Sequence, residues 1–283
     1  MNKIIPCVFA VLVVFGNSLF AQDFQGKAYY ESKTTINMDF GGRQIPEDRK
    51  KMILERMKQM SERTYILSFN RTESVYKQEE KLEQPGMGQG RGGMRMGMMM
   101  GAGGEDYYKN VKSGKYAVSK DLFGKIFLVN DSLPKLQWQM QAETKKIGNY
   151  TAYKATAVKH VSEPNMRAVF QRRGRDQQAD NKEPEVIEKK IEIVAWYCPE
   201  IPVNQGPGEY WGLPGLIMEL NDGRTSILCS KIVINPKEKI DIKEPKKGKE
   251  VNQAEYDEIS RKKMKEMREN FRSMRPGGGR GRH

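Results

Sequence analysis

The stretch that decides the fold runs from Glu209 to Leu220 and reads EYWGLPGLIMEL. Gly212 and Gly215 have no Cβ, so the backbone can turn tightly or lie against another strand at either position. Pro214 between them fixes its own φ and donates no backbone hydrogen bond, which suits the entrance to a strand. The pattern therefore predicts a structural corner immediately before a strand. A loop that contacts a ligand is the alternative interpretation.

Strands are predicted on both sides of this corner. Residues 216–220 favour a strand, Asn221-Asp222-Gly223 is a turn signal, and Thr225 to Ile234 favours a return strand. Further β-compatible runs lie near residues 24–40, 64–78, 107–118, 125–129, 136–143, 150–161 and 188–203. Their regular spacing, with turn signals between them, favours an antiparallel sheet over alternating β-α units. The sequence predicts a mainly β protein, α+β in total, with a curved antiparallel sheet and a few helices.

Three motifs carry a resemblance to a known family. They are WQMQAETKKIGNY at 138–150, AWYCPEIPV at 195–203 and GLPGLI at 212–217. In this order they resemble the GLPGLI family, exported proteins of Bacteroidetes-type bacteria whose biochemical activity is not established. The family signature falls on Gly212, Leu213, Pro214, Gly215, Leu216 and Ile217. The resemblance implies an exported β fold and, by analogy, a half-barrel similar to that of periplasmic lipoprotein carriers.

The N-terminus predicts the compartment. Residues 1–21 read as a secretory signal peptide, with Lys3 before an apolar run from Ile4 to Phe15 and the small residue Ala21 at the end. The run is too short for a convincing membrane span, and an uncleaved anchor is the alternative. We therefore expect an exported protein, not integral to the membrane, that is periplasmic or associated with the outer membrane.

The chain is basic, with 49 Lys and Arg against 36 Asp and Glu and a formal net charge of +13. An exported basic protein can associate with an anionic membrane surface. The Arg-Gly-Gly run at 91–93 and the Gly/Arg tail echo RNA-binding segments, but nucleic acid is a poor partner outside the cytoplasm. We expect a lipid, an anionic membrane surface or an outer-membrane protein as the partner, and no nucleic acid.

Composition divides the exported chain into a sheet domain and a charged end. We assign residues 22–242 to one antiparallel β domain of GLPGLI type. A Met/Gly-rich insertion at 84–105 and a polar insertion at 171–185 interrupt this domain. The high glycine content of the first insertion predicts that it is flexible. Residues 243–283 are assigned to a basic, charged helix followed by a disordered Gly/Arg tail.

Two helices are predicted from their capping residues. Pro46 followed by acidic residues predicts a helix from 46 to about 63, because proline suits the first turn and acids favour the positive end of the dipole. Asn252 and Glu255 form a capping box for a helix that ends near Met274. The second helix has a thin apolar stripe among many charges, so we expect it to be exposed or weakly docked.

Groups that could catalyse a reaction are sparse. The sequence contains two histidines, His160 and His283, and neither a G-x-S-x-G nor an H-E-x-x-H motif. Carboxylates are abundant, but no pair of them is distinguished from the rest. We therefore expect no enzyme and no cofactor. The favoured function is a non-catalytic envelope protein that binds a lipid, a peptide or an outer-membrane protein.

Five aromatic residues are candidates for the lining of a binding site, because aromatic side chains combine a large apolar area with a polar end. They are Trp138, Trp196, Tyr197, Tyr210 and Trp211. The alternative is that these residues build the core of the sheet and contact no ligand.

Sulfur-containing residues raise two further hypotheses. Cys198 and Cys229 remain after removal of the signal peptide and are a candidate disulfide in an oxidising compartment, with two buried thiols as the alternative. Met94, Met96 and Met98 lie close together, and thioethers select Cu(I). A periplasmic Cu(I)-binding protein is therefore the second functional hypothesis. An adaptable apolar spacer is the competing interpretation of the methionines, and the neighbouring arginines would repel a cation.

Overall fold

The computed structural model describes residues 24–35, 46–79, 105–164 and 186–273. The strands in these residues are β1 Gln25–Thr34, β2 Glu62–Asn70, β3 Glu73–Gln78, β4 Tyr107–Asn110, β5 Lys115–Leu122, β6 Lys125–Ser132, β7 Gln139–Ile147, β8 Tyr150–Pro164, β9 Val186–Cys198, β10 Leu216–Asn221, β11 Thr225–Ile234 and β12 Lys249–Val251. The helices are α1 Glu47–Ser61 and α2 Gln253–Ser273. The predicted signal peptide, the polar insertion, the Gly/Arg tail and the Met/Gly-rich insertion up to residue 104 lie outside the described residues.

The strands form a single open, curved sheet. Its order from edge to edge is β12-β6-β5-β4-β3-β2-β1-β11-β10-β9-β8-β7. Neighbouring strands are antiparallel except for β12 and β6, which run parallel. The prediction of a mainly β protein with a curved antiparallel sheet is confirmed. The parallel strand β12 was not predicted, because three residues within a charged segment carry no periodic signal.

Alternation along the strands gives the sheet its apolar core. Ala28 on β1 faces Leu67 on β2, and Leu67 faces Tyr76 on β3. All three are buried, and the next alternate residue on β1, Tyr30, is also fully buried. Residues two apart on a strand point to the same side, so these strands share one continuous apolar face. A second core cluster belongs to β8, β9 and β10, and a third to β5 and β6.

Both predicted helices are present. α1 begins at Glu47, directly after Pro46, and ends at Ser61. At the start of α2, the Glu255 N–H donates to Asn252 Oδ1 at 2.8 Å and the Asn252 N–H donates to Glu255 Oε2 at 3.1 Å. The predicted capping box is therefore confirmed. Among the described residues, no helix is long and apolar enough to cross a bilayer.

Candidate functional site

Residues 199–215, which connect β9 to β10, form the segment around which the site is built, and we call them the strap. The strap folds back on itself through backbone hydrogen bonds. The Gly212 N–H donates to the Asn204 carbonyl at 3.2 Å, and the Ile217 N–H donates to the Gln205 carbonyl at 3.0 Å. The first bond joins the two arms of the strap, and the second joins its first arm to the start of β10.

The two glycines of the GLPGLI motif occupy positions where a side chain would be strained or would clash. Gly212 has a φ of 93°, a conformation that side-chain-bearing residues rarely adopt. At Gly215, a Cβ would lie 2.3 Å from the carbonyl oxygen of Cys198, because the strap runs against the end of β9 there. The geometry supports the structural corner predicted from the sequence. Both glycines are explained by backbone packing, with no need for a ligand.

A buried lysine on β4, several strands away from β10, holds the strap against the sheet. The Lys109 ammonium donates to the carbonyl oxygens of Gly206, Gly208 and Tyr210 at 2.5, 2.8 and 2.9 Å. Its side chain is fully buried. An ammonium group has three protons, so the three strap carbonyls satisfy all of them. Lys109 is thus an anchor inside the protein and not an amine available to solvent.

Two further contacts show how far the strap reaches. Ser74 on β3, which faces Lys109 across the β3–β4 pair, donates from its hydroxyl to Gln205 Oε1 at 2.8 Å. Tyr30 on β1 donates from its hydroxyl to the carbonyl of Ile217 at 2.6 Å. The strap therefore lies over one face of the sheet, from β10 across to β4. That part of the sheet face is covered by the protein's own chain and is not open to a ligand.

The charges around the anchor are arranged in two layers. Burial lowers the pKa of Lys109 to about 7, and the nearby Glu209 carboxylate opposes that shift. Glu209 itself pairs with Lys159 at 2.5 Å, with both side chains about one-third exposed. Burial, aided by Asp131 and Glu209, raises the pKa of Tyr116 to about 12. The strap is held by a desolvated cation beneath it and a solvent-accessible ion pair above it.

The two tryptophans on either side of the corner bind the strap to the start of β7. Trp138 Nε1–H donates to the carbonyl of Trp211 at 2.9 Å, and Trp211 Nε1–H donates to the carbonyl of Pro134 at 2.8 Å. Both indole rings are half-buried. The structure brings these two candidate aromatics together, and their polar ends are used within the protein.

The other three candidate aromatics belong to the sheet. Tyr197 and Tyr210 are buried in the same apolar cluster, beneath and within the strap. Trp196 is half-buried, and the Lys145 ammonium lies 4.2 Å from its ring centroid while pairing with Glu219 at 2.6 Å. These contacts favour the interpretation of the aromatics as core and packing residues.

The candidate disulfide is corrected by the topology. Cys198 and Cys229 are free, buried thiols. They lie on β9 and β11, and β10 runs between these strands, which places them roughly 10 Å apart at the usual interstrand spacing. A disulfide needs Cα atoms closer than about 7 Å. Burial raises the pKa of Cys229 to about 12 and also raises that of Cys198, so neither is a reactive thiolate.

β7 is one of the two terminal strands of the sheet in the described residues, and β12 is the other. Among the described residues, β7 pairs only with β8, and a bulge between Met140 and Thr144 interrupts that pairing. Met140 is 63% exposed, and Tyr153 on β8 is 38% exposed. Met140 faces Ala155, two residues from Tyr153, so both exposed side chains lie on the same side of the sheet.

Two openings among the described residues are grooves lined largely by polar and charged side chains. One of about 410 Å³ is lined by Lys77, Gln78, Asp106, Ser119 and Pro245–Lys247, and another of about 470 Å³ lies between β12 and α2. No group of three His, Cys, Asp or Glu residues that could hold a metal occurs in the described part of the chain. The Cu(I) candidates Met94, Met96 and Met98 lie outside it.

Comparison with known proteins gives a match of part of the chain to one family model and a weak likeness to two solved structures. Residues 138–219 match the family model described as "Protein of unknown function (Porph_ging)", and this span contains all three motifs quoted above. Two solved structures of PNGF-II, in space groups C2 and P21, are 14% and 13% identical, each with a TM-score of 0.45. Each alignment covers 84% of this chain and 33% of the other, so this chain spans about a third of those chains. No curated protein matches the sequence.

Proposed function

We propose that this chain is a non-catalytic, exported cell-envelope protein of the GLPGLI type that binds an extended segment of another polypeptide along β7. The observation that carries the proposal is the contrast between the two available surfaces. The strap covers one face of the sheet from β10 to β4, while the outer edge of β7 has no strand beside it in the described residues. A strand edge with unpaired backbone groups is a surface that extended peptides recognise.

The covered face of the sheet favours a polypeptide over a lipid as the ligand. An acyl chain needs an apolar cavity that buries most of its surface. In this protein, the strap residues Tyr210 and Leu213 occupy that position, and both are buried. The grooves that remain in the described residues are lined mainly by lysine and acidic side chains, which do not suit a hydrocarbon chain.

The hairpin that joins β7 to β8 sets which amides point outward. Ile147 faces Tyr150 across the two-residue turn Gly148-Asn149, and Gly148 has a φ of 57°. In a hairpin of this kind the closing pair is hydrogen-bonded, and hydrogen-bonded pairs alternate with pairs that are not. We therefore expect the N–H groups of Thr144 and Lys146 to face away from β8 and to be available to a partner strand.

The side chains beside this edge predict the length and polarity of the partner segment. Thr144, on this edge, faces Tyr153 of β8, and Tyr153 and Met140 are exposed apolar side chains on the same side of the sheet. The bulge before Thr144 limits the regular edge to Thr144–Ile147. The partner segment is thus short, with an apolar residue that reaches this side and polar residues at the alternate positions.

Photo-crosslinking tests the proposal. A photoreactive residue is introduced at Lys146 or, as a control, at Ser119 on β5, and the protein is incubated with a detergent-solubilised outer-membrane fraction. We expect a crosslink from Lys146 to one contiguous segment of a polypeptide, and none from Ser119. Thr144→Pro should abolish the crosslink because proline removes the outward N–H, and Thr144→Val, which keeps that N–H, should retain it.

Other outcomes contradict the proposal. Equal crosslinking at Lys146 and Ser119, or a Thr144→Pro variant that crosslinks as the parent does, would exclude strand addition at β7. Stoichiometric acyl chains extracted from the purified protein would favour a lipid carrier. Export is checked separately by intact mass, which should place the mature N-terminus near Gln22 in the envelope fraction; an intact chain from Met1 in the cytosol would contradict it.

A further inference from the structure

The two halves of α2 have different surroundings. Tyr256 and Ile259, in the first half, pack against the cluster formed by β5, β6 and β12. The Tyr256 ring meets Phe127 edge-on, with 5.8 Å between centroids. Beyond Ile259, no described residue of α2 belongs to or packs against a core cluster. The second half of the helix therefore extends past the sheet without an apolar partner among the described residues.

The apolar stripe of the helix continues where the core ends. Met264 and Met267 follow Tyr256 and Ile259 at spacings that keep them on one side of a helix. Met264 is 37% exposed. Docking of the first half against the sheet explains two of these residues. The two methionines belong to no core cluster of the described residues, and Met267 is partly buried.

Charge changes sign at the same point in the helix. Residues 253–260 contain three acidic residues and no basic one. Residues 261–273 contain six basic and two acidic residues, so their formal charge is 6 − 2 = +4. The sequence after the helix adds Arg275, Arg280 and Arg282. The docked half is acidic, and the projecting half is basic around its apolar stripe.

We propose that the second half of α2 lies on the surface of an anionic phospholipid bilayer. Met264 and Met267 would enter the level of the headgroups, and the basic side chains around them would contact lipid phosphates. An amphipathic helix of this kind binds through its apolar stripe together with electrostatic attraction. Because the second half of the helix is basic, we expect it to bind an anionic bilayer more strongly than a neutral one. The inference uses residues that are separate from β7, so it stands or falls independently of the proposed polypeptide partner.

Vesicle co-sedimentation tests the assignment with the chain as purified from cells. Binding to vesicles of phosphatidylcholine with about 30% phosphatidylglycerol is compared with binding to vesicles of pure phosphatidylcholine. We expect binding to the anionic vesicles to be at least about tenfold stronger and to weaken in about 0.5 M salt, because salt screens the attraction.

Variants separate the stripe from other apolar residues. The double variant Met264→Gln/Met267→Gln should lose about tenfold in vesicle affinity, and Arg261→Gln/Lys262→Gln should lose a similar amount. Met140→Gln, which removes a more exposed methionine from β7 (63% exposed, against 37% for Met264), is the control and should bind vesicles as the parent does. Circular dichroism of each variant confirms that the helix is retained.

Three results would overturn the proposal. The first is equal binding of the parent chain to neutral and anionic vesicles. The second is vesicle binding that the Met264→Gln/Met267→Gln variant retains in full, because some other part of the chain would then be responsible. The third is a parent chain that sediments as a dimer while this variant sediments as a monomer, because a second copy would then cover the stripe.

Discussion

The two ends of the sheet are finished in different ways. At the β6 end, β12 pairs with the edge and the first turns of α2 pack over it. At the β7 end, no strand or helix covers the edge in the described residues. Exposed large apolar side chains follow the same division: none lies on β2–β6, whereas Met140, Tyr153, Val158, Ile187 and Leu228 lie on β7, β8, β9 and β11. The β6 end of the sheet is covered by β12 and α2, and the β7 end is exposed in the described residues.

The strap lies between these two ends of the sheet, over the strands from β10 to β4. Its corner is packed against β9, and its middle is held over β4 by Lys109. A fully buried charge is stabilising only when its hydrogen bonds are satisfied. The strap should therefore be among the most rigid parts of the molecule, and β7 among the easiest to perturb without unfolding. The predictions below test that contrast in order of decreasing effect.

Replacement of the buried anchor should have the largest effect. Lys109→Met leaves three buried strap carbonyls without their donor and should lower the free energy of unfolding by about 3–5 kcal/mol. Lys159→Met, which removes the partially exposed partner of Glu209, should cost less than about 1 kcal/mol. Urea denaturation measures both. Equal losses for the two variants would show that Lys109 does not anchor the strap.

Substitution at the corner should come next. Gly215→Ala places a Cβ against the backbone of Cys198, and the displacement this requires should cost about 2–4 kcal/mol. Gly223→Ala is the matched comparison, because Gly223 has a φ of 79° but open space around it; its cost should be about 1 kcal/mol. Thermal unfolding ranks the two. A Gly223 variant less stable than the Gly215 variant would argue against the packed corner.

The buried amine should also make stability depend on pH. The pKa of Lys109 is lowered to about 7 in the folded state, whereas an unfolded lysine titrates near 10.4. Between these values the unfolded chain binds more protons, so stability should rise with pH, by at most about 1.4 kcal/mol per pH unit. Above pH 10 the buried tyrosines act in the opposite direction, because burial raises the pKa of Tyr30 and Tyr76.

The test is denaturation at pH 6, 7, 8 and 9 with the parent and with Lys109→Met. We expect the parent to gain stability over this range relative to the variant, since the variant has no titrating group at this position. A parent and a variant whose stabilities run parallel from pH 6 to pH 9 would contradict the assigned pKa of Lys109.

The edge strand should show the smallest effect. Thr144→Pro removes an N–H that we expect to point away from β8, so it should change the free energy of unfolding by less than about 1 kcal/mol. Lys145→Pro removes an N–H that points toward β8 and should cost about 3 kcal/mol. The same urea titration compares them. A reversed order would mean that the register of β7 exposes the other set of amides.

Local sequence signals account for much of the fold. The glycines and proline of the GLPGLI motif predicted the corner, the Asn-Asp-Gly turn predicted the β10–β11 hairpin, and Asn252 with Glu255 predicted the start of α2. Each of these features is decided by residues a few positions apart. Features of this kind can be predicted from the sequence alone.

Features that depend on distant residues were missed or misassigned. Lys109 and the strap carbonyls are about a hundred residues apart in sequence, and the only local clue is that Lys109 shares a strand face with Tyr107. The two cysteines suggested a disulfide because their strands adjoin the same corner, but β10 separates them. Strand order across the sheet, which decides both cases, is not encoded in the spacing of a single segment.

Hydrogen–deuterium exchange of the native protein tests the contrast most directly. The amides of Gly212 in the strap and Ile217 at the start of β10 donate to strap carbonyls, whereas we expect those of Thr144 and Lys146 on β7 to face solvent. The account predicts that the first pair is protected at least about a thousandfold more than the second. Amides of the first pair that exchange as fast as those of β7 would contradict it, because the face of the sheet under the strap would then be open to a ligand.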